Sequence, residues 1–275
     1  MDMPATTNFP RPVAAESHND THKLTGAQAL VRTLEAAGVR HVFGYPGGAI
    51  MPVYDALVDS ALNHILCRHE QGCALAANGY ARVSGEVGVC MATSGPGATN
   101  LLTGIADAYM DSVPLLAITG QVPTVVMGTD AFQEVDIFGM SMPVVKHSYI
   151  IRDAADIQST VLEALEIAAS GRPGPVLLDL PKDVANAPCS LGRPVISRHR
   201  PPAEQYGLTD LRRASRVLRN ARRPLAYVGG GTVIGRCHDA VRTFVEHHQV
   251  PVVSTLKALG VMPSDSPLFL GMIGM

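Results

Sequence analysis

The sequence predicts an α/β fold: a doubly wound parallel-sheet domain followed by the beginning of a second, truncated α/β domain. Three observations carry this reading. Short apolar runs of strand length alternate with stretches of helical periodicity from Thr25 to Leu180. Glycine-rich turns follow several of the strands, as at Gly44 to Gly48 and Gly95 to Gly97. A cluster of prolines at 188, 194, 201 and 202 then separates this alternation from a second one. Strands joined through helices pair in parallel and are covered on both faces.

Taken in order, Thr25 caps a helix carrying Leu30, Val31 and Leu34 that Gly38 ends. His41 to Phe43 is a buried strand, and Ile50, Val53, Tyr54 and Leu57 mark the next helix. The strand Ile65 to Cys67 leads to a helix from Cys73 to Val83, where Ala74, Ala77, Tyr80 and Ala81 recur at helical spacing. Val87 to Ala92, Leu115 to Thr119 and Val176 to Leu180 are further strands, separated by helical stretches around 98–110 and 156–169. The domain boundaries expected are a disordered leader over 1–24, a first domain over 25–187, a linker over 188–206 and an incomplete second domain over 207–275. The second domain opens with a helix around Thr209 to Leu218, the strand Leu225 to Val228, the turn Gly229-Gly230-Gly231, and a helix bearing Val241, Phe244 and Val245.

Composition narrows the function classes. At 275 residues the chain has ample core for independent folding. A formal net charge of -2 offers no basic surface for nucleic acid or an anionic membrane. No run reaches the roughly 18 apolar residues of a membrane span, and the start lacks an apolar signal core, so the expected location is the cytoplasm. The five cysteines form no Cys-x-x-Cys pair and are expected as buried free thiols. Zinc needs clustered ligands at short spacing, and neither His69 nor His247-His248 has a cysteine or carboxylate arranged to complete such a set, so no transition-metal site is expected.

Glu70 is the leading candidate for chemistry. It lies in Arg68-His69-Glu70-Gln71-Gly72, between a strand and a helix, at the carboxyl edge where open α/β sheets bind ligands. A glutamate in a first helical turn is more often a dipole-stabilising or capping residue, and residue type alone leaves both readings open. Thr93-Ser94-Gly95-Pro96-Gly97-Ala98-Thr99-Asn100 is a second strand-turn-helix junction whose glycines admit close backbone approach, although Gly-Pro-Gly is also ordinary turn chemistry. Gly229-Gly230-Gly231 lacks full Gly-x-Gly-x-x-Gly spacing, so close turn packing explains it as well as a nucleotide does.

Several ordered motifs carry a resemblance: Phe43-Gly44-Tyr45-Pro46-Gly47-Gly48-Ala49, His69 to Gly72, Gly79-Tyr80-Ala81-Arg82, Thr93 to Asn100, Gly120-Gln121-Val122-Pro123, Gly128 to Glu134 and Ser170 to Pro175. Together they resemble the large, catalytic subunit of acetolactate synthase, also called acetohydroxyacid synthase, from about Leu24 to the last residue. The resemblance implies a pyrimidine-binding domain for thiamine diphosphate over 25–187 and part of a flavin-associated central domain after 207. It implies that Glu70 hydrogen-bonds the cofactor's pyrimidine ring and promotes loss of the thiazolium C2 proton. Pyruvate would then be decarboxylated and joined to a second pyruvate or to 2-ketobutyrate. By the same resemblance Tyr45, Pro46 and Gly47 shape the cofactor pocket with Gly44 beside the substrate, and Thr93 and Asn100 flank the pyrimidine. Phe132 and Gln133 match the pair near the reacting substrate, with Gln133 counted as catalytic, while a plain core role for Phe132 stays open. Gly229, Gly230 and Gly231 become flavin contacts, and a homo-oligomer with a small regulatory subunit is implied.

One departure qualifies the resemblance. The family holds the cofactor diphosphate through Mg2+ at a Gly-Asp-Gly motif in a third domain, and no Gly-Asp-Gly occurs in this sequence. The 275 residues are therefore expected to be inactive alone. A related thiamine diphosphate enzyme, such as a glyoxylate carboligase or a pyruvate oxidase, and a non-enzymatic partner-binding module are the alternatives.

Overall fold

The computed structural model describes residues 24–192 and 207–274, so the expected leader up to residue 23 and the linker from 193 to 206 lie outside the described residues. The chain divides into two compact units. The first comprises β1 (Leu24–Thr25), α1 (Gly26–Ala36), β2 (His41–Gly44), α2 (Met51–Leu57), β3 (Asn63–Leu66), α3 (Glu70–Ser84), β4 (Gly88–Ala92) and α4 (Pro96–Asp111). It continues through β5 (Leu115–Gln121), α5 (Ile137–Ser141), β6 (His147–Ile150), α6 (Ile157–Ala169), β7 (Pro175–Pro181), α7 (Lys182–Asn186) and β8 (Pro188–Cys189).

Six of these strands form one parallel sheet in the order β3-β2-β4-β5-β7-β6. β4, β5 and β7 are buried along their whole length, as parallel strands covered on both faces must be. Their side chains alternate between two apolar clusters. Val89, Met91, Leu116, Ile118 and Leu178 join one cluster with α1 and α6. Cys90, Ala92, Leu115, Ala117 and Leu177 join the other with α3 and α4. The two-residue period of a strand thus sorts one apolar run into two cores.

Local signals place the helices. A capping box starts α1: Gln28 N donates to Thr25 Oγ1 at 3.2 Å, and Thr25 N donates to Gln28 Oε1 at 3.0 Å. Pro96 opens α4, where its missing N–H costs no helical hydrogen bond. α3 begins at Glu70, three residues before its apolar periodicity does, because Cys73 N already donates to His69 O at 3.2 Å. β3 is shifted towards the amino terminus of the expected Ile65 to Cys67 run, being set by its register with His41 to Gly44 rather than by hydrophobicity. β6 gave no sequence signal, since an edge strand reading His-Ser-Tyr-Ile carries no apolar run.

The second unit is smaller. It comprises α8 (Leu208–Asn220), β9 (Ala226–Val228), α9 (Gly231–Ile234), α10 (His238–His248), β10 (Val252–Ser254) and β11 (Phe269–Met272), with a parallel sheet ordered β11-β10-β9. Val228, Val245, Val252, Ala258, Val261 and Met262 form its core. No helix among the described residues is long and apolar enough to cross a membrane.

Candidate active site

The strand order creates the site. From β2 the chain steps outward to β3, then returns on the other side of β2 as β4. The junction of β2 and β4 is therefore a topological switch point, where the turns leaving the carboxyl ends of two neighbouring strands diverge and leave a crevice. Gly44 is registered opposite Met91 there, so the turns after residues 44 and 92 flank one opening.

These turns are fastened together. Thr93 Oγ1 accepts from Ala49 N at 3.1 Å, and Tyr45 N donates to Met91 O at 3.4 Å. A Cβ on Gly47 would lie 2.5 Å from Thr93 Cβ, so only glycine allows that approach. Tyr45 and Pro46 stand exposed at the rim, and Thr93 is buried.

Glu70 reaches the same place from α3. Its side chain is buried, and its Oε2 accepts from Asn100 Nδ2 at 2.9 Å. Among the described residues Oε1 accepts no hydrogen bond, and it lies 3.4 Å from where a Cβ on Gly97 would sit. The α3 and α4 helices that carry this pair are tied further along. Arg82 Nε donates to Asn78 Oδ1 at 2.6 Å, Asn78 Nδ2 donates to Asp107 at 2.7 Å, and Arg82 reaches Asp111 at 2.5 Å. A carboxylate with one oxygen fixed and the other open towards a bare glycine turn suits exchange of a proton with a weak ring base. These residues fit the aminopyrimidine end of thiamine diphosphate. For the diphosphate end, the described residues hold no group of three or more His, Cys, Asp or Glu that could bind a metal ion.

A third segment closes on the crevice. Glu134 accepts from the backbone N–H groups of Gly128, Thr129 and Ala131, so residues 128–134 fold around one carboxylate, which these donors hold below the usual range. Gln133 adopts a left-handed φ of 59°, and its backbone lies against Gly95. A Cβ on Gly95 would come within 2.7 Å of Gln133 O, and its own φ of 60° with ψ of -120° belongs to glycine alone. Gly95→Ala is expected to cost at least roughly 1–3 kcal/mol from the backbone conformation, with further loss as Gln133 is displaced. Denaturant unfolding of the purified variant measures this, and an unchanged midpoint would contradict it.

Not every expected residue joins this cluster. Phe132 is 88% exposed, which removes the core reading and leaves its ring free at the surface beside Gln133. Gly229, Gly230 and Gly231 belong to the second unit, where a Cβ on Gly230 would lie 3.1 Å from Lys257 Cβ. Close packing of that turn is thus a sufficient reason for glycine at 230. Cys73, Cys90 and Cys189 are buried free thiols, but Cys237 is exposed on the small second unit.

Sequence reading passed over three groups. Tyr54 Oη and His64 Nε2 are buried without a hydrogen-bond partner among the described residues, both aimed at the space that Gly44 leaves open. Burial raises the Tyr54 pKa and lowers that of His64. Asp179 lies 1% exposed in the all-buried strand β7, and a charge inside an apolar run was a legible signal for it.

Comparison with known proteins extends this geometry. Residues 24–140 match the family described as thiamine pyrophosphate enzyme, N-terminal TPP binding domain. Residues 211–275 match thiamine pyrophosphate enzyme, central domain. The chain is 50% identical over 262 residues to an acetolactate synthase of Arthrospira platensis, an alignment covering 92% of this chain and 45% of that protein. It is 50% identical over 252 residues to the acetolactate synthase isozyme 2 large subunit of Escherichia coli strain K12, covering 92% of this chain and 46% of that one. Against an acetolactate synthase large subunit of Pyropia yezoensis it is 49% identical over 260 residues, with 91% and 44% covered. The chain spans just under half the length of these relatives.

Proposed function

We propose a function from the premise that the chain belongs to the thiamine pyrophosphate enzymes, whose N-terminal and central domains it matches in order. It supplies the pyrimidine-side wall of an acetolactate synthase active site. The substrates are pyruvate with a second pyruvate or 2-ketobutyrate, in branched-chain amino-acid biosynthesis in the cytoplasm. The observation that supports this most is the buried Glu70–Asn100 pair at the switch point, with Glu70 Oε1 facing Gly97. Thiamine diphosphate, when bound, supplies the electron sink that allows a 2-ketoacid to lose carbon dioxide and add to a second one.

The chain's own residues do the rest. Glu70 Oε1 takes up and returns a proton at the pyrimidine ring, while Asn100 Nδ2 keeps the other carboxylate oxygen in place. The turn at Gly44, Tyr45, Pro46 and Gly47 shapes one side of the pocket and Thr93 the other. Gln133, held at Gly95, meets the ketoacid with Phe132 at the opening. Mg2+ and FAD belong to the complete protein, FAD beside the 229–231 turn, as do a homo-oligomeric assembly and a small regulatory subunit.

The test supplies pyruvate, thiamine diphosphate, Mg2+ and FAD to the complete subunit containing this stretch and, separately, to the 275 residues alone. Acetolactate is quantified as acetoin after acid treatment. The complete subunit is expected to form it and the 275-residue stretch to form none, because no Gly-Asp-Gly segment is present to hold the diphosphate metal. Product from glyoxylate but not from pyruvate would replace this reading with a glyoxylate carboligase.

A further inference from the structure

A buried carboxylate that the proposed chemistry does not use lies between the sheet and the segment carrying Gln133. Asp179 Oδ1 accepts from Thr119 Oγ1 at 2.7 Å, and its Oδ2 accepts from Gln121 Nε2 at 2.9 Å. Thr119 and Gln121 are two residues apart on β5, hence on one face, and Thr119 is registered opposite Asp179. Gln121 Nε2 also donates to Val135 O at 3.1 Å, while its Oε1 accepts from Val122 N at 2.9 Å.

Every polar atom of the Gln121 amide is thus engaged. One N–H goes to a carboxylate fixed in the sheet and one to the backbone two residues beyond Gln133. The contact with the Asp179 carboxyl, 2.9 Å against 3.1 Å for that with Val135, aims the amide and leaves its second hydrogen pointing at Val135. The bridge acts on a preassembled piece, since Glu134 closes residues 128–134 on themselves and Asp136 caps α5 through Gly139 N at 2.9 Å. Among the described residues, Gln121 makes the hydrogen bond from β5 to the backbone of the segment that packs under Gly95.

We propose that Gln121 and Asp179 are positioning residues that hold the 128–135 segment on the sheet, so that Gln133 stays seated against the Gly95 turn beside Glu70. The effect on turnover rests on the acetolactate synthase reading; the seating of the segment does not.

Two variants separate this from a merely structural role. Thr119→Val and Gln121→Leu each remove one hydrogen bond from the same carboxylate, but only the second breaks the link to Val135. Amide exchange is followed at Gly128, Thr129 and Ala131 in this chain. Gln121→Leu is expected to speed it by roughly tenfold or more over Thr119→Val, with β4 and β5 amides shifted no more than in Thr119→Val. Gln121→Met serves as the alternative should the leucine variant fail to fold.

In the complete subunit, Gln121→Leu is expected to lower kcat by roughly 10- to 100-fold, with pyruvate KM changed far less, while Thr119→Val keeps kcat. Equal exchange in the two variants would overturn the proposed seating. Faster exchange with unchanged kcat would overturn the link to Gln133 chemistry, while inactivity of the unsubstituted complete subunit would count against the enzyme reading alone.

Discussion

Glu70→Gln in the complete subunit is expected to reduce acetolactate formation by about 100- to 10,000-fold, the range that a general acid–base group contributes. The physical argument turns on which oxygen is occupied. Asn100 Nδ2 needs an acceptor, and the carbonyl oxygen of a glutamine satisfies it in the position of Glu70 Oε2. The amide nitrogen then replaces Oε1 near Gly97, where it can donate a hydrogen bond but cannot take up and return a proton. Shape and packing are retained, so the loss in stability is expected within about 1 kcal/mol. Steady-state kinetics on pyruvate, with thermal unfolding as control, separates the two effects. A purified glutamine variant that turns over at a near-normal rate would show that the carboxylate only caps α3.

The fold and the junctions that flank the candidate site were legible in the sequence because both depend on local patterns. Val87 to Ala92 and Val176 to Leu180 read as strands since parallel strands buried on both faces have no reason to alternate with polar residues. Thr93 to Asn100 read as a junction because its glycines and Pro96 are permitted where they stand and disfavoured elsewhere. Glu70 was singled out as a candidate from its place between two patterns. The Asn100 hydrogen bond was not, because a contact between residues 30 apart in sequence leaves no local trace. β6 and the bridging role of Gln121 were missed for related reasons. An edge strand is specified by its neighbour, and a glutamine following an apolar strand gives no sign that both its amide hydrogens are committed.

Asp179 should make the first unit lose stability as pH rises from about 4 to 7. Burial pushes its carboxyl from the ordinary 3.8 up to about 7, with hydrogen bonds from Thr119 and Gln121 opposing the shift and the Asp136 carboxylate adding to it. Across that interval the folded chain keeps a proton that the unfolded chain has released. The slope of unfolding free energy with pH follows protons bound in the unfolded minus the folded state, so it is negative there and flattens above and below. A shift of this size corresponds at most to roughly 4 kcal/mol, at about 1.4 kcal/mol per pH unit. Asp179→Asn carries no titrating proton and should remove that slope while leaving the effects of other carboxylates. Exchange of the β5 and β7 amides, which reports opening of this unit, would be followed at pH 5 and pH 8 in both proteins after correction for intrinsic rates. Identical pH dependence in the two would show that Asp179 is ionised throughout, with Thr119 and Gln121 stabilising its charge fully. A lost slope would mean that near neutral pH the anchor of the Gln121 bridge sits between its two charge states. The Gln121 bond to the Asp179 carboxyl that anchors the bridge is then fully charge-assisted only above neutrality, at the expense of sheet stability.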